Sequence, residues 1–152
     1  MLVRQVLPLF FAHSLENEPI EGRTRLQKML FLLQQEYNSC DFQYQFHAYD
    51  YGPYSSTLQF DIDELIQQGL LKESTEGLSN GKLKYKYSIT KEGSRLVEGV
   101  LKNPKNKKLQ LKKIHQSCSQ IKSYANRINL NDLLRDVYLR YPSYAKRSVY
   151  EF

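Results

Sequence analysis

Residues 55–89 constrain the fold of this chain more than any other stretch. Leu58, Ile62, Leu65, Ile66 and Leu70 recur at the spacing of one buried helical face, and Gly69 marks the end of that helix. A short apolar edge follows over residues 70–73, then a turn between Gly77 and Gly81. Residues 82–89 alternate strictly, with Leu83, Tyr85, Tyr87 and Ile89 on one side and Lys82, Lys84 and Lys86 on the other. Helix, strand, glycine-bearing turn and lysine-faced strand, in that order, predict a winged helix-turn-helix. The expected fold class is mostly α with a small antiparallel β-sheet, plus a C-terminal helical extension.

The remaining elements read in the same way. Residues 2–13 carry a stripe of Val3, Val6, Leu7 and Phe10 and predict a first helix rather than a signal peptide. Residues 16–22, with Pro19 and Gly22, read as a loop. Thr24 is the expected N-cap of a second helix reaching Tyr37, apolar over most of its girth and so central in the fold. From Asp41 to Tyr51, Phe42, Tyr44 and Phe46 alternate with Gln43, Gln45 and His47, which predicts a strand, centred near residues 42–46, and residues 51–54 carry turn chemistry. Ser55 or Ser56 caps the next helix, and Ser56 with Gln59 fits a capping box. Thr90 caps a fourth helix that reaches Lys102. After a linker at residues 103–106, a long helix carries a seam of Leu111, Ile114, Cys118, Ile121, Ala125 and Ile128 at heptad spacing. Asn131 is the expected cap of a last helix that stops before Pro142. The division is a winged-helix domain over residues 1–102 and a basic helical extension over residues 107–152.

Charge separates these two parts. The net charge is +6 over 152 residues. Residues 1–98 hold ten Lys/Arg and thirteen Asp/Glu; residues 99–152 hold twelve Lys/Arg and three Asp/Glu. From Gly99 to Asn131 there is no acid, against eight lysines and arginines. Such asymmetry points to an anionic partner for the basic half, or to a solvated helix face that balances an acidic body. No apolar run approaches a membrane span. Cys40 and Cys118 have no metal-ligand spacing and suit free thiols in a reducing cytoplasm.

Residues 22–31 (GRTRLQKMLF), 42–46, 51–55 (YGPYS) and 85–93 (YKYSITKEG) together resemble the YwgA-type proteins. The "LQK" helix and the "GP" turn are more distantly similar to the Panacea, SocA-like antitoxin domain. The resemblance covers about residues 1–100. It implies a winged-helix fold and, through the more distant kinship, a partner-binding role; it does not fix an activity.

Candidate contacts follow from the winged-helix reading. Wing lysines Lys82, Lys84 and Lys86, the helix entry of Arg23, Arg25 and Lys28, and Lys108, Lys112 and Lys113 of the basic extension are the expected phosphate ligands. Gln59, Gln67 and Gln68, exposed on the helix at residues 55–69, are the candidates for an adenine edge, Gln59 first. That helix also carries Asp61, Asp63 and Glu64 and no cation, which opposes insertion between phosphates. The three acids read as a solubilising face or a contact for a basic protein. The heptad seam admits a homodimer, packing on its own domain, or presentation of its lysines. His13, His47 and His115 lie on separate elements, and no nucleophile, phosphate loop or metal set is evident. The expected function is a non-enzymatic, cytoplasmic regulator that binds double-stranded DNA, without cofactor or metal. The alternative is a protein-binding adaptor of the antitoxin kind.

Overall fold

The computed structural model describes residues 2–36 and 43–150. The described residues form six helices, α1 (Val3–Asn17), α2 (Arg23–Glu36), α3 (Ser56–Gln67), α4 (Lys91–Lys102), α5 (Leu111–Ala125) and α6 (Leu130–Arg140), with a three-stranded sheet and a two-stranded hairpin. The strands are β1 (Ile20–Glu21), β2 (His47–Tyr49), β3 (Gly52–Tyr54), β4 (Leu71–Gly77) and β5 (Leu83–Ile89). The result is a mostly α fold with a wing.

The wing is β4 paired antiparallel with β5, in a register from Leu71↔Ile89 to Gly77↔Leu83. Gly81 closes the turn at φ +80, a conformation natural to glycine. Lys82 belongs to this turn, and the strand begins at Leu83. The third strand is β1, which pairs with β5 through Ile20↔Tyr87 and Glu21↔Lys86. Strand order β1-β5-β4 is that of a winged helix. The segment at residues 16–22 was expected to be a loop. A two-residue strand is too short to leave a period in the sequence.

Of the strand expected over residues 41–51, only His47–Tyr49 forms one among the described residues. Phe42 lies outside the described residues, and residues 43–46 form no ladder. The backbone of Tyr44 is held by one side chain instead. Gln34 Nε2 donates to its carbonyl at 2.8 Å and Gln34 Oε1 accepts from its N–H at 2.6 Å. The end of the expected run is β2, and the anticipated turn at residues 51–54 contributes β3 of the same hairpin. A second glutamine of α2 repeats the device: Gln27 binds both the N–H and the carbonyl of Ser55, each at 2.9 Å. Pinned in this way, Ser55 caps α3 by accepting from Leu58 N at 3.1 Å. Ser56, the alternative, is already inside the helix.

Helix boundaries shift by one or two residues elsewhere. Arg23 opens α2, so Thr24 sits in its first turn, and Asn129 rather than Asn131 caps α6. Thr90 caps α4 as expected, its hydroxyl accepting from Gly93 N at 3.0 Å. α4 docks on the sheet at Gly93, where a Cβ would overlap the Leu70 carbonyl oxygen and stand 2.7 Å from Ile89 Cγ1.

The basic extension is not separate. Leu111, Ile114, Cys118, Ile121 and Ala125 are buried in the same core cluster as Phe10, Phe31 and Tyr87, with α5 packed on α1 and α2. The heptad seam is therefore filled from within the chain and is not a free dimer face. Ile128 lies beyond the end of α5 and is half-buried. The division at residue 102 marks a change in charge, not in core.

Candidate nucleic-acid interface

The structure separates the residues expected to meet nucleic acid into two kinds. Arg25 and Lys28 are buried, at 9% and 2% exposure. Arg25 donates to the carbonyls of Ala125 and Ile128 and, through Nε, to Glu21 O at 3.1 Å. It closes the C-terminal end of α5, where free carbonyls attract a cation much as a phosphate would. Lys28 Nζ donates to Pro53 O at 2.9 Å, beneath the β2–β3 hairpin. Burial pushes its ammonium down to about 7. Neither residue is a surface phosphate contact. α2 is buried from Arg25 to Gln34, so Arg25 and Lys28 face inward.

Arg23 remains at the surface but is engaged. Its guanidinium donates to Tyr87 Oη at 2.7 Å and Glu73 Oε2 at 3.0 Å, and lies 4.9 Å from the centre of the Tyr85 ring. Lys84 pairs with Glu21 at 3.1 Å. Lys82 is exposed and Lys86 half-exposed, and neither is in an ion pair among the described residues. The wing register adds Lys72, opposite Ser88, to the lysine-bearing face, but also Glu76, opposite Lys84. Lys72 was missed because only the strand pairing reveals it.

α3 offers less than expected to a groove. Gln59 is half-buried and its amide donates to Asp63 at 3.2 Å. Asp61 is not on the solvent face: it is fully buried and joined to Arg4 Nε at 3.0 Å, Gln5 Nε2 at 3.1 Å and Tyr44 Oη at 2.8 Å. Asp63 is exposed and Glu64 half-exposed, beside a Phe60 that is 62% exposed. No Lys or Arg lies on the helix.

The densest positive surface lies at the junction of α4 and α5. Asn103 accepts from Lys105 N at 3.0 Å and starts a 3-10 turn over Pro104–Leu109, and Asn106 ties that turn to Val100 O at 3.1 Å. Gln110, left-handed at φ +54, then redirects the chain into α5. Lys102, Lys105, Lys107, Lys108, Lys112 and Lys113 are all exposed on this arc. Lys102, Lys107 and Lys112 line a concavity of about 310 Å3. Thirteen residues separate Lys112 from Ala125, so this arc is roughly 20 Å along α5 from Arg25, at 1.5 Å rise per residue.

Two histidines read as unrelated prove to be partners. His13 Nδ1 and His115 Nε2 are 2.9 Å apart, one donating and one accepting. Burial, His13 and Lys122 push His115 down to about 4, so the pair is neutral near pH 7. Glu98 stands 4.0 Å from His13. Among the described residues no set of three or more His, Cys, Asp or Glu is placed to hold a metal ion, and no helix is long and apolar enough to cross a membrane. Cys118 is a buried free thiol, and Cys40 lies outside the described residues.

No known family profile matches the chain. Over 83 residues, 55% of its length, it is 36% identical to a protein of Bacillus subtilis (strain 168) described as uncharacterized protein YwgA. The match spans 48% of YwgA, so the chain covers about half the length of the curated relative it resembles.

Proposed function

We infer that this protein is a non-enzymatic, cytoplasmic nucleic-acid-binding module that acts on double-stranded DNA as a regulator. One observation carries the reading: six exposed lysines between Lys102 and Lys113 form an arc in a stretch that has no acid from Gly99 to Asn131. Phosphate neutralisation by such an arc supplies affinity without base contacts. Lys108, Lys112 and Lys113 carry the contact, with Lys82 and Lys86 of the wing as a second, weaker point. α3 is not inserted in the groove, because Asp63 and Glu64 face outward with no cation beside them.

The test is duplex binding across a salt series. Lys108→Glu, Lys112→Glu and Lys113→Glu together should abolish binding, whereas the same change at Lys82, Lys84 and Lys86 should weaken it less. Equal binding by the wild type and the Lys108→Glu, Lys112→Glu, Lys113→Glu variant would refute the assignment.

A second reading rests on Phe60, exposed on α3 and flanked by Asp63 and Glu64. An apolar anchor rimmed by acids suits a basic protein partner. The distant likeness to the Panacea, SocA-like antitoxin domain supports such an adaptor role. Phe60→Ala would then abolish partner binding and leave duplex binding intact.

A further inference from the structure

A cleft lies between the start of α2, the β2–β3 hairpin and α3, with a volume of about 220 Å3. Its lining includes Arg23 and Lys28 of α2, Tyr49, Tyr51 and Tyr54 of the hairpin, and Gln59 of α3. It needs no contact with the lysine arc and does not depend on DNA binding.

Lys28 is the unusual member. It is 2% exposed, yet its only acceptor among the described residues is the Pro53 carbonyl, at 2.9 Å. An ammonium has three N–H donors, and burying it against one neutral acceptor is costly. The second buried lysine, Lys122, is better supplied: it meets Ser14 O at 2.7 Å and Ala12 O at 3.4 Å, at the end of the regular part of α1. Lys122 is thus explained by the fold, and Lys28 is not. An anion entering the cleft would complete its coordination.

The hairpin supplies a flat apolar surface beside that cation. Tyr49 stacks on Tyr54 with ring centres 5.2 Å apart and planes at 29°, and is itself 47% exposed. Tyr51 is 46% exposed. Tyrosine rings placed in this way accept a base on their open face. Asp50 also lines the cleft. Its carboxylate accepts from an exocyclic amine and repels phosphate, so it fixes which end of a ligand points where. The hollow lies below the roughly 300–1,000 Å3 of ordinary ligand pockets. It admits the phosphate end of a ligand, toward Lys28 and Arg23, with the sugar and base at the rim over Tyr49 and Tyr51.

The geometry points to a site for a free mononucleotide, its amino-bearing base on Tyr49 and Tyr51 and its phosphate toward Lys28 and Arg23. Arg23 is shared between this cleft and the wing, through Tyr87 and Glu73. An occupied site is therefore coupled to the wing by one side chain.

The experiment is calorimetric titration of the full chain with AMP, UMP, adenosine and inorganic phosphate. Tyrosine fluorescence provides a second readout, since the chain has no tryptophan. AMP is expected to bind at least about tenfold more tightly than adenosine or phosphate alone, the share of one charged contact or one stacked ring. UMP, lacking the amine, should bind more weakly than AMP. Lys28→Met and Tyr49→Ala should each weaken AMP by about tenfold or more. Tyr49 is half-exposed, so its variant decides the matter if Lys28→Met does not fold. No heat with AMP, equal affinity for AMP and phosphate, UMP binding as tightly as AMP, or AMP binding unchanged in Tyr49→Ala would each overturn the site.

Discussion

Asp61 shows how one buried charge organises the region where α1, α3 and the segment after α2 meet. It takes hydrogen bonds from Arg4, Gln5 and Tyr44, which lie on two other segments. Its removal leaves a part-buried guanidinium short of an acceptor and Tyr44 Oη with only the Arg4 carbonyl, at 3.1 Å. Asp61→Ala should cost about 3 kcal/mol, measured by urea denaturation, and Asp61→Asn less. The sequence reading put Asp61 on the solvent face, yet a signal was there: Asp61 follows Leu58 by three and precedes Leu65 by four, on the apolar stripe itself. Arg25 and Lys28 carried no such signal, since a helix buried on every side has no polar face to mark them. Lys28 also makes stability depend on pH. Its folded pKa of about 7 lies below that of an unfolded lysine, about 10.4, so between these values the unfolded chain holds more protons. Stability should therefore rise from pH 7 toward pH 10, by up to roughly 1.4 kcal/mol per unit from this group. Lys28→Met should be more stable at pH 6 and lose that part of the slope. His115, pushed down to about 4 chiefly by burial, acts on the acid side. Stability should fall as pH drops from about 6.5 toward 4, and a His115→Asn variant should lose part of this fall.

At the level of elements, the wing, α3 and α4 were legible because each repeats a period over several residues. β1 and β3 were not, being two or three residues long, and β2 was legible only as the end of a longer expected strand. Gln34 and Gln27 standing in for strand neighbours leave no trace in any local pattern. The seam of α5 was legible as apolar spacing, but spacing cannot say whether the facing helix belongs to the same chain. Here it belongs to α1 and α2. Ile114→Ala should lower stability by about 2–4 kcal/mol without changing the mass in solution. Residues 1–102 alone should fail to give a cooperative melt, because they would expose the α1 and α2 surfaces that α5 covers. Gly93→Ala should displace α4 from the sheet and cost more than about 2 kcal/mol, read from the denaturation midpoint.

Across the whole molecule, the charge imbalance visible in the sequence survives folding, but its location changes. Two of the expected cations turn inward, Arg23 and Lys84 are paired with acids, and the free positive charge concentrates at the α4–α5 junction. The helix that a winged-helix protein would lay in the major groove is acidic, so the proposed duplex contact lies on another side. The most direct measurement is the affinity of the full chain for a short duplex between about 50 and 200 mM salt, compared with the Lys108→Glu, Lys112→Glu, Lys113→Glu variant. Binding that falls steeply with salt and disappears in the variant is the predicted result. Absence of binding at the lowest salt, or binding that the variant retains in full, would contradict the account and shift attention to Phe60 and a protein partner.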